Sequence, residues 1–234
     1  MPCCPSCRTS VGGWRSEGRC VEKQMNMKRF LILFAVFIIA VSNPLSAQIS
    51  IGAGYLNSHS TAELNNGYGE GFYAGLSCKT PLTKVFSLIP GVYFSKIKET
   101  GGEFISSSFK DESGYFIEKA LVVPLYLQWG LFFPSNIRAF LYAGPSFQYG
   151  LSCKSLSGAG TVSARDLYDE KAYGLVHQRW NVLAGGGAGF SFPIKSMLKV
   201  YLNAGWDCGL MNLYVDPSYK SRRSLWKAGV GIEF

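Results

Sequence analysis

WKAGVGIEF, residues 226–234, decides the fold. Trp226, Ala228, Val230, Ile232 and Phe234 share one parity, and Lys227, Gly229, Gly231 and Glu233 share the other. Successive side chains of a strand point to opposite faces. The stretch is therefore a strand with one wholly apolar face and one face of glycine and charge. Working upstream, 198–210 repeats the design. Leu198, Val200, Leu202, Ala204, Trp206, Cys208 and Leu210 oppose Lys199, Tyr201, Asn203, Gly205, Asp207 and Gly209. So does 179–192, where Trp180, Val182, Ala184, Gly186, Ala188, Phe190 and Phe192 oppose Arg179, Asn181, Leu183, Gly185, Gly187, Gly189 and Ser191.

Five further segments alternate less strictly, at 48–57, 70–79, 86–97, 117–131 and 137–151. Eight strands in all predict an all-β, eight-stranded antiparallel transmembrane β-barrel, since an even number returns both ends to one side of the membrane. A soluble barrel keeps its apolar face inward and its polar face in water. Here the apolar face is nearly pure, while the other carries Gly, Asn, Gln, Ser, Tyr and single charges, which suits a narrow polar interior within lipid. Connection lengths agree. Segments 80–85, 132–136 and 193–197 are short, and 58–69, 98–116, 152–176 and 212–222 are long. That alternation predicts tight periplasmic turns and longer extracellular loops. Pro90, Pro124 and Pro145 fall inside strands, where each removes a ladder hydrogen bond. Each is expected to mark a bulge or a strand end.

The chain has 234 residues, enough for one domain. From Met27, MKRFLILFAVFIIAVSNPLSAQ reads as a secretory signal: basic Lys28 and Arg29, an apolar run from Phe30 to Val41, a break at Asn43 and Pro44, and small residues before Gln48. The run is too short to span a bilayer as a helix. No cysteine stands at the cleavage position, so a lipoprotein anchor is not expected. Residues 1–26 hold Cys3, Cys4, Cys7 and Cys20 without a second ligand pair for a metal. The organisation expected is 1–26 as an upstream extension read through in error, 27–47 as signal peptide, and 48–234 as the barrel.

The basic balance belongs partly to the leader. The whole chain has 23 Lys and Arg against 15 Asp and Glu, a net charge of +8. Setting aside Arg8, Arg15, Arg19, Lys23, Lys28 and Arg29 leaves 17, and setting aside Glu17 and Glu22 leaves 13, so 48–234 carries +4. Such a charge argues little for nucleic acid. Cys78, Cys153 and Cys208 are odd in number, which excludes a complete disulfide framework. Cys78 and Cys208 lie on apolar faces, where a thiol packs as a small hydrophobe.

Val123-Pro124-Leu125-Tyr126-Leu127, Leu141-Tyr142-Ala143-Gly144-Pro145-Ser146, Gly185–Gly189 and Gly209-Leu210-Met211-Asn212 resemble the PorT-like outer-membrane β-barrel family of Bacteroidetes. The resemblance covers nearly all of 48–234, and its most specific part is the proline-bearing fourth strand followed by Ala-Gly-Pro in the fifth. It implies a bacterial outer-membrane location. The founding member is implicated in secretion through that membrane, yet no motif here carries that role across.

An eight-stranded barrel is just wide enough for side chains to fill. Its inward parity includes Lys79, Glu118, Arg138, Arg179, Lys199, Asp207, Lys227 and Glu233. These are expected to pair as a lumen charge network, because charges removed from bulk water need partners. A narrow ion-selective path is the sharper alternative. A rim enzyme would need His59 or His177 to meet a serine such as Ser152 or Ser155, and no nucleophile motif surrounds them. Gly185–Gly189 lies inside a strand rather than before a helix, so it is no phosphate loop. Trp129, Trp180, Trp206, Trp226, Tyr55, Tyr149 and Tyr214 are expected as interfacial anchors. Membrane lipid is thus one partner, and the barrel-assembly machinery, through the strand ending at Phe234, is another. Residues 152–176, with Arg165, Asp166, Asp169, Glu170 and Lys171, are the most exposed place for a surface or secretion partner. The expected function is structural, surface-binding or secretion-accessory, without catalysis or cofactor.

Overall fold

The computed structural model describes residues 48–62, 66–101, 115–133, 137–156, 162–168, 177–195, 198–215 and 220–234. The leader expectations, 1–26 and 27–47, lie outside the described residues. Nine strands follow in order: β1 (Gln48–Ala62), β2 (Asn66–Pro81), β3 (Phe86–Gly101), β4 (Tyr115–Phe132), β5 (Arg138–Leu156), β6 (Val162–Asp166), β7 (Trp180–Lys195), β8 (Leu198–Gly209) and β9 (Ser221–Glu233). Eight of them form the wall. Each pairs antiparallel with its neighbours, β5 passes to β7, and β9 pairs with β1 from Ser50↔Glu233 to Ala62↔Ser221. Closure leaves the wall no free edge, so each strand has a neighbour on both sides for its backbone groups inside a membrane, where no water could serve them.

The alternation sets which face meets lipid. Ile49, Ile51, Phe72, Leu76, Leu127, Leu141, Phe190, Leu202, Val230 and Ile232 all project outward and stand exposed. An apolar surface that continues round the whole circumference marks a lipid-facing wall. Trp129, Trp206, Trp226 and Tyr55 join this face. Trp206 and Trp226 are directly paired across β8 and β9, with ring centroids 6.3 Å apart.

The long connections are protruding hairpins more than coil. Pairing of β1 with β2 runs up to Thr61↔Asn66, so only 63–65 separate the two strands. β3 and β4 continue their pairing to Thr100↔Tyr115, and β6 folds back onto the extended end of β5. Weak alternation hid these extensions, because beyond the bilayer neither face is constrained to be apolar.

The prolines correct one expectation. None of the three marks a bulge or a strand end. Register is the same on both sides of each interruption; the rungs beside Pro90, Pro124 and Pro145 are simply missing. A proline removes one N–H, and the closed wall holds the flanking residues in place. The register shifts among the described residues fall elsewhere, between Lys119 and Ala120, between Pro193 and Lys195, and, where β5 meets β6, between Lys154 and Leu156.

Candidate functional site

The lumen is filled in layers. At the short-turn end, the inward parity of β2, β8 and β9 brings Lys79, Lys199 and Glu233 together. Lys79 Nζ lies 3.0 Å from Glu233, and Lys199 Nζ lies 3.3 Å from it. Lys79 and Glu233 are buried, whereas the Lys199 side chain remains 36% exposed. Gln48, with its amide nitrogen toward Glu233 (2.7 Å) and its oxygen toward Lys199 (3.2 Å), completes the group.

Above it lies a tyrosine-rich chamber of about 120 Å³. Lys227 Nζ stands 2.5 Å from Asp207 and donates to Tyr126 Oη at 2.8 Å. Tyr126 also reaches Asp207 (3.2 Å) and Ser146 (3.2 Å). Tyr73, Tyr93, Tyr142 and Tyr201 line the walls. Glycines on the facing strands make room for these large groups. A Cβ at Gly185 would overlap the Asp207 carboxylate, one at Gly187 the Tyr142 hydroxyl, and one at Gly189 the Phe140 ring. The glycine run is thus interior packing space.

A dry layer closes the chamber. Leu56, Ile97, Leu183 and Leu225 contact one another across the barrel axis, each at most 5% exposed. Beyond them Arg223 is held between two carboxylates. Its guanidinium lies 3.0 Å from Glu99 and pairs also with Glu118. Ser58 (3.2 Å) and Ser60 donate to Glu99, while Gln148 (3.1 Å) and the Tyr168 hydroxyl (2.5 Å) donate to Glu118. Charge buried this far from bulk water needs close partners, and the two carboxylates supply them, although the Arg223 Nε meets no hydrogen-bond acceptor among the described residues.

The external end of this plug is aromatic. Phe116, Cys153, Leu167 and Tyr168 form a buried cluster in which the turn after β6 covers β4 and β5. The rings of Phe116, Tyr168 and Tyr214 stand 5.4, 6.3 and 5.1 Å from that of His177. Burial holds the His177 imidazole down to about 4, so it is neutral at ordinary pH.

Six of the eight charges expected in the lumen therefore fall into three separate groups: Lys79, Lys199 and Glu233; Asp207 and Lys227; and Glu118 with a partner not foreseen. Arg138 turns to the short-turn rim, its guanidinium 5.0 Å over the Phe132 ring. Arg179 sits just before β7, 5.2 Å over the Tyr168 ring, outside all three groups. Tyr214 corrects the list of lipid anchors. It is 7% exposed and belongs to the cluster around His177, because the chain leaves the wall after β8 and folds inward there. Glu99 and Arg223 were not among the expected lumen charges: Glu99 falls in 98–116, taken as a loop, and Arg223 between the loop 212–222 and the strand recognised from Trp226. Parity would have found both. Glu99 continues the inward series 93, 95, 97 of β3, and Arg223 the series 231, 229, 227, 225 of β9.

A closed eight-stranded wall with a lipid-facing exterior and a side-chain-filled lumen defines a bacterial outer-membrane barrel. The family model of the outer membrane protein beta-barrel domain matches residues 40–215, about three quarters of the chain, and the protein belongs to that family. No curated protein sequence matches it. Among solved structures it is similar to Ail, the attachment invasion locus protein of Yersinia pestis, at 13% identity over 81% of this chain and 100% of that one, with a TM-score of 0.42. Neisserial surface protein A is similar at 15% identity, 81% and 99% coverage and a TM-score of 0.46. The outer membrane protein OprG from Pseudomonas aeruginosa is similar at 12% identity, 81% and 96% coverage and a TM-score of 0.46.

Proposed function

We propose that this is a sealed surface barrel of the PorT-like branch, acting through its external hairpins in binding, anchoring or assisting secretion rather than by conduction or catalysis. The observation that carries this reading is the plug. Leu56, Ile97, Leu183 and Leu225 meet across the axis directly beneath the buried Arg223, Glu99 and Glu118. An ion crossing the layer would shed its water against apolar side chains and then displace a buried ion pair. The PorT-like assignment is supported by Pro124 and Gly144-Pro145-Ser146, which stand side by side on β4 and β5 with Pro124 paired to Ser146. A non-catalytic role is supported by the histidines: His177 is enclosed by aromatic rings, while His59 lies on the outer wall against Tyr68.

The experiment is single-channel recording in planar bilayers, with a porin as positive control. Silence over many insertions of folded protein is expected. Reproducible unitary steps would overturn the sealed-barrel reading in favour of a narrow channel.

A further inference from the structure

Lys96 and Lys119 face each other directly across β3 and β4, on the outward side of the wall. Like charges placed opposite one another weaken a sheet unless something neutralises them. Lys98 stands one outward position above Lys96, and Lys154 flanks it across Ile117 on β5. Few carboxylates are at hand among the described residues. Glu70 is across from Lys98, yet Lys98 Nζ turns onto the Tyr115 ring, 4.0 Å from its centre. Asp166, across from Lys154, has its Oδ1 taken by the backbone N–H groups of Cys153 (3.1 Å) and Tyr168 (3.2 Å).

Height decides what meets this patch. The outward residues of β4 read Leu131, Trp129, Leu127, Leu125, Val123 and Leu121 before Lys119 interrupts them. Ten residues at about 3.3 Å each, tilted by about 40°, rise about 25 Å, the height of the apolar band of such barrels. Lys119 and its partner Lys96 therefore emerge just past the band on the long-loop side, at the level of the outer-leaflet headgroups. Lysine stems reach along the apolar wall while their ammonium groups stay in the polar layer.

We propose that Lys96 and Lys119, flanked by Lys98 and Lys154, form a docking site for the phosphate groups of an outer-leaflet glycolipid. A phosphate set between the two ammonium groups removes their repulsion and is held from below by the acyl chains along Leu121 and Phe94. The site fixes one lipid on one side of the barrel and sets its depth in the outer leaflet.

The test is native mass spectrometry of the folded protein, released from micelles with diphosphoryl lipid A or chemically dephosphorylated lipid A. Each lysine at an anionic membrane surface contributes about fivefold in affinity, so Lys96→Gln/Lys119→Gln is expected to lose about 25-fold for the phosphorylated lipid. The same variant should bind dephosphorylated lipid A as the unaltered protein does. Lys220→Gln/Arg222→Gln, an equal charge change at the start of β9 (Lys220 just before the strand, Arg222 within it) across the barrel, should change lipid A binding less than twofold. A heat-modifiable band confirms that each variant is folded. The proposal is overturned if both variants lose binding equally, if phosphate removal makes no difference, or if millimolar inorganic phosphate displaces the lipid completely.

Discussion

Replacing Arg223 tests whether the plug is held by paired charge. Arg223 and Glu99 are each 1% exposed, and Glu118 is 6% exposed. Arg223→Met keeps most of the side-chain length but leaves two carboxylates buried without their cation. Removing one partner of a buried pair costs about 3–5 kcal/mol, and here two partners are stranded, so the upper part of that range is expected. Lys199→Ala supplies the contrast. Its side chain is 36% exposed and sits 3.3 Å from Glu233, so solvent screening should hold its cost to about 1 kcal/mol or less. The assay is urea unfolding in lipid vesicles, followed in parallel by gel mobility and tryptophan emission. The midpoint should fall with an unchanged slope. Glu99→Gln/Arg223→Met/Glu118→Gln, which removes all three charges, should regain most of the loss. An Arg223→Met cost below about 1 kcal/mol, or a triple variant no better than the single one, would refute the reasoning.

Three further outcomes follow from the same geometry. His177 has a folded value of about 4 against an ordinary 6.5, so the unfolded external cap binds a proton that the folded one refuses. The cap's stability is therefore full above about pH 6.5 and falls as pH drops toward 4, by about 3 kcal/mol in all; hydrogen exchange at Val162–Asp166 should show that slope, and His177→Phe should abolish it. Gly187→Val should cut folding yield severely, because its side chain would meet the Ala204 carbonyl and the Gly205 backbone of β8 as well as the Tyr142 hydroxyl; Tyr142→Ala in the same chain should therefore fail to restore folding, and full recovery would refute the backbone clash. Emission from Trp206 and Trp226, which stand 42% and 60% exposed on the outer face, should be quenched by brominated acyl chains in vesicles and hardly at all by aqueous iodide.

Much of the wall was legible because lipid imposes a strict rule on one face. Within the band, every second residue of β7, β8 and β9 must be apolar or small, so parity alone assigned Trp180, Leu202 and Val230 correctly. Outside the band the rule lapses, and legibility lapsed with it. Glu99 lies two residues past the recognised end of β3, and Arg223 three before the recognised start of β9. The three charge groups were readable as a set of inward residues but not as groups, since who pairs with whom depends on stagger around a closed wall. Arg138 and Arg179 illustrate the same gap. Each carries the expected charge, yet each guanidinium lies over an aromatic ring near a rim. Tyr214 was misplaced because the last external segment folds inward, a tertiary contact that alternation cannot encode.

Heat-modifiability tests the central claim most directly. Purified outer membranes, solubilised in dodecyl sulfate without heating, should yield a compact fast-migrating band that slows after boiling, since a closed eight-stranded wall resists the detergent until heat opens it. Recovery of the protein in the soluble fraction, with one mobility before and after boiling, would contradict the barrel outright.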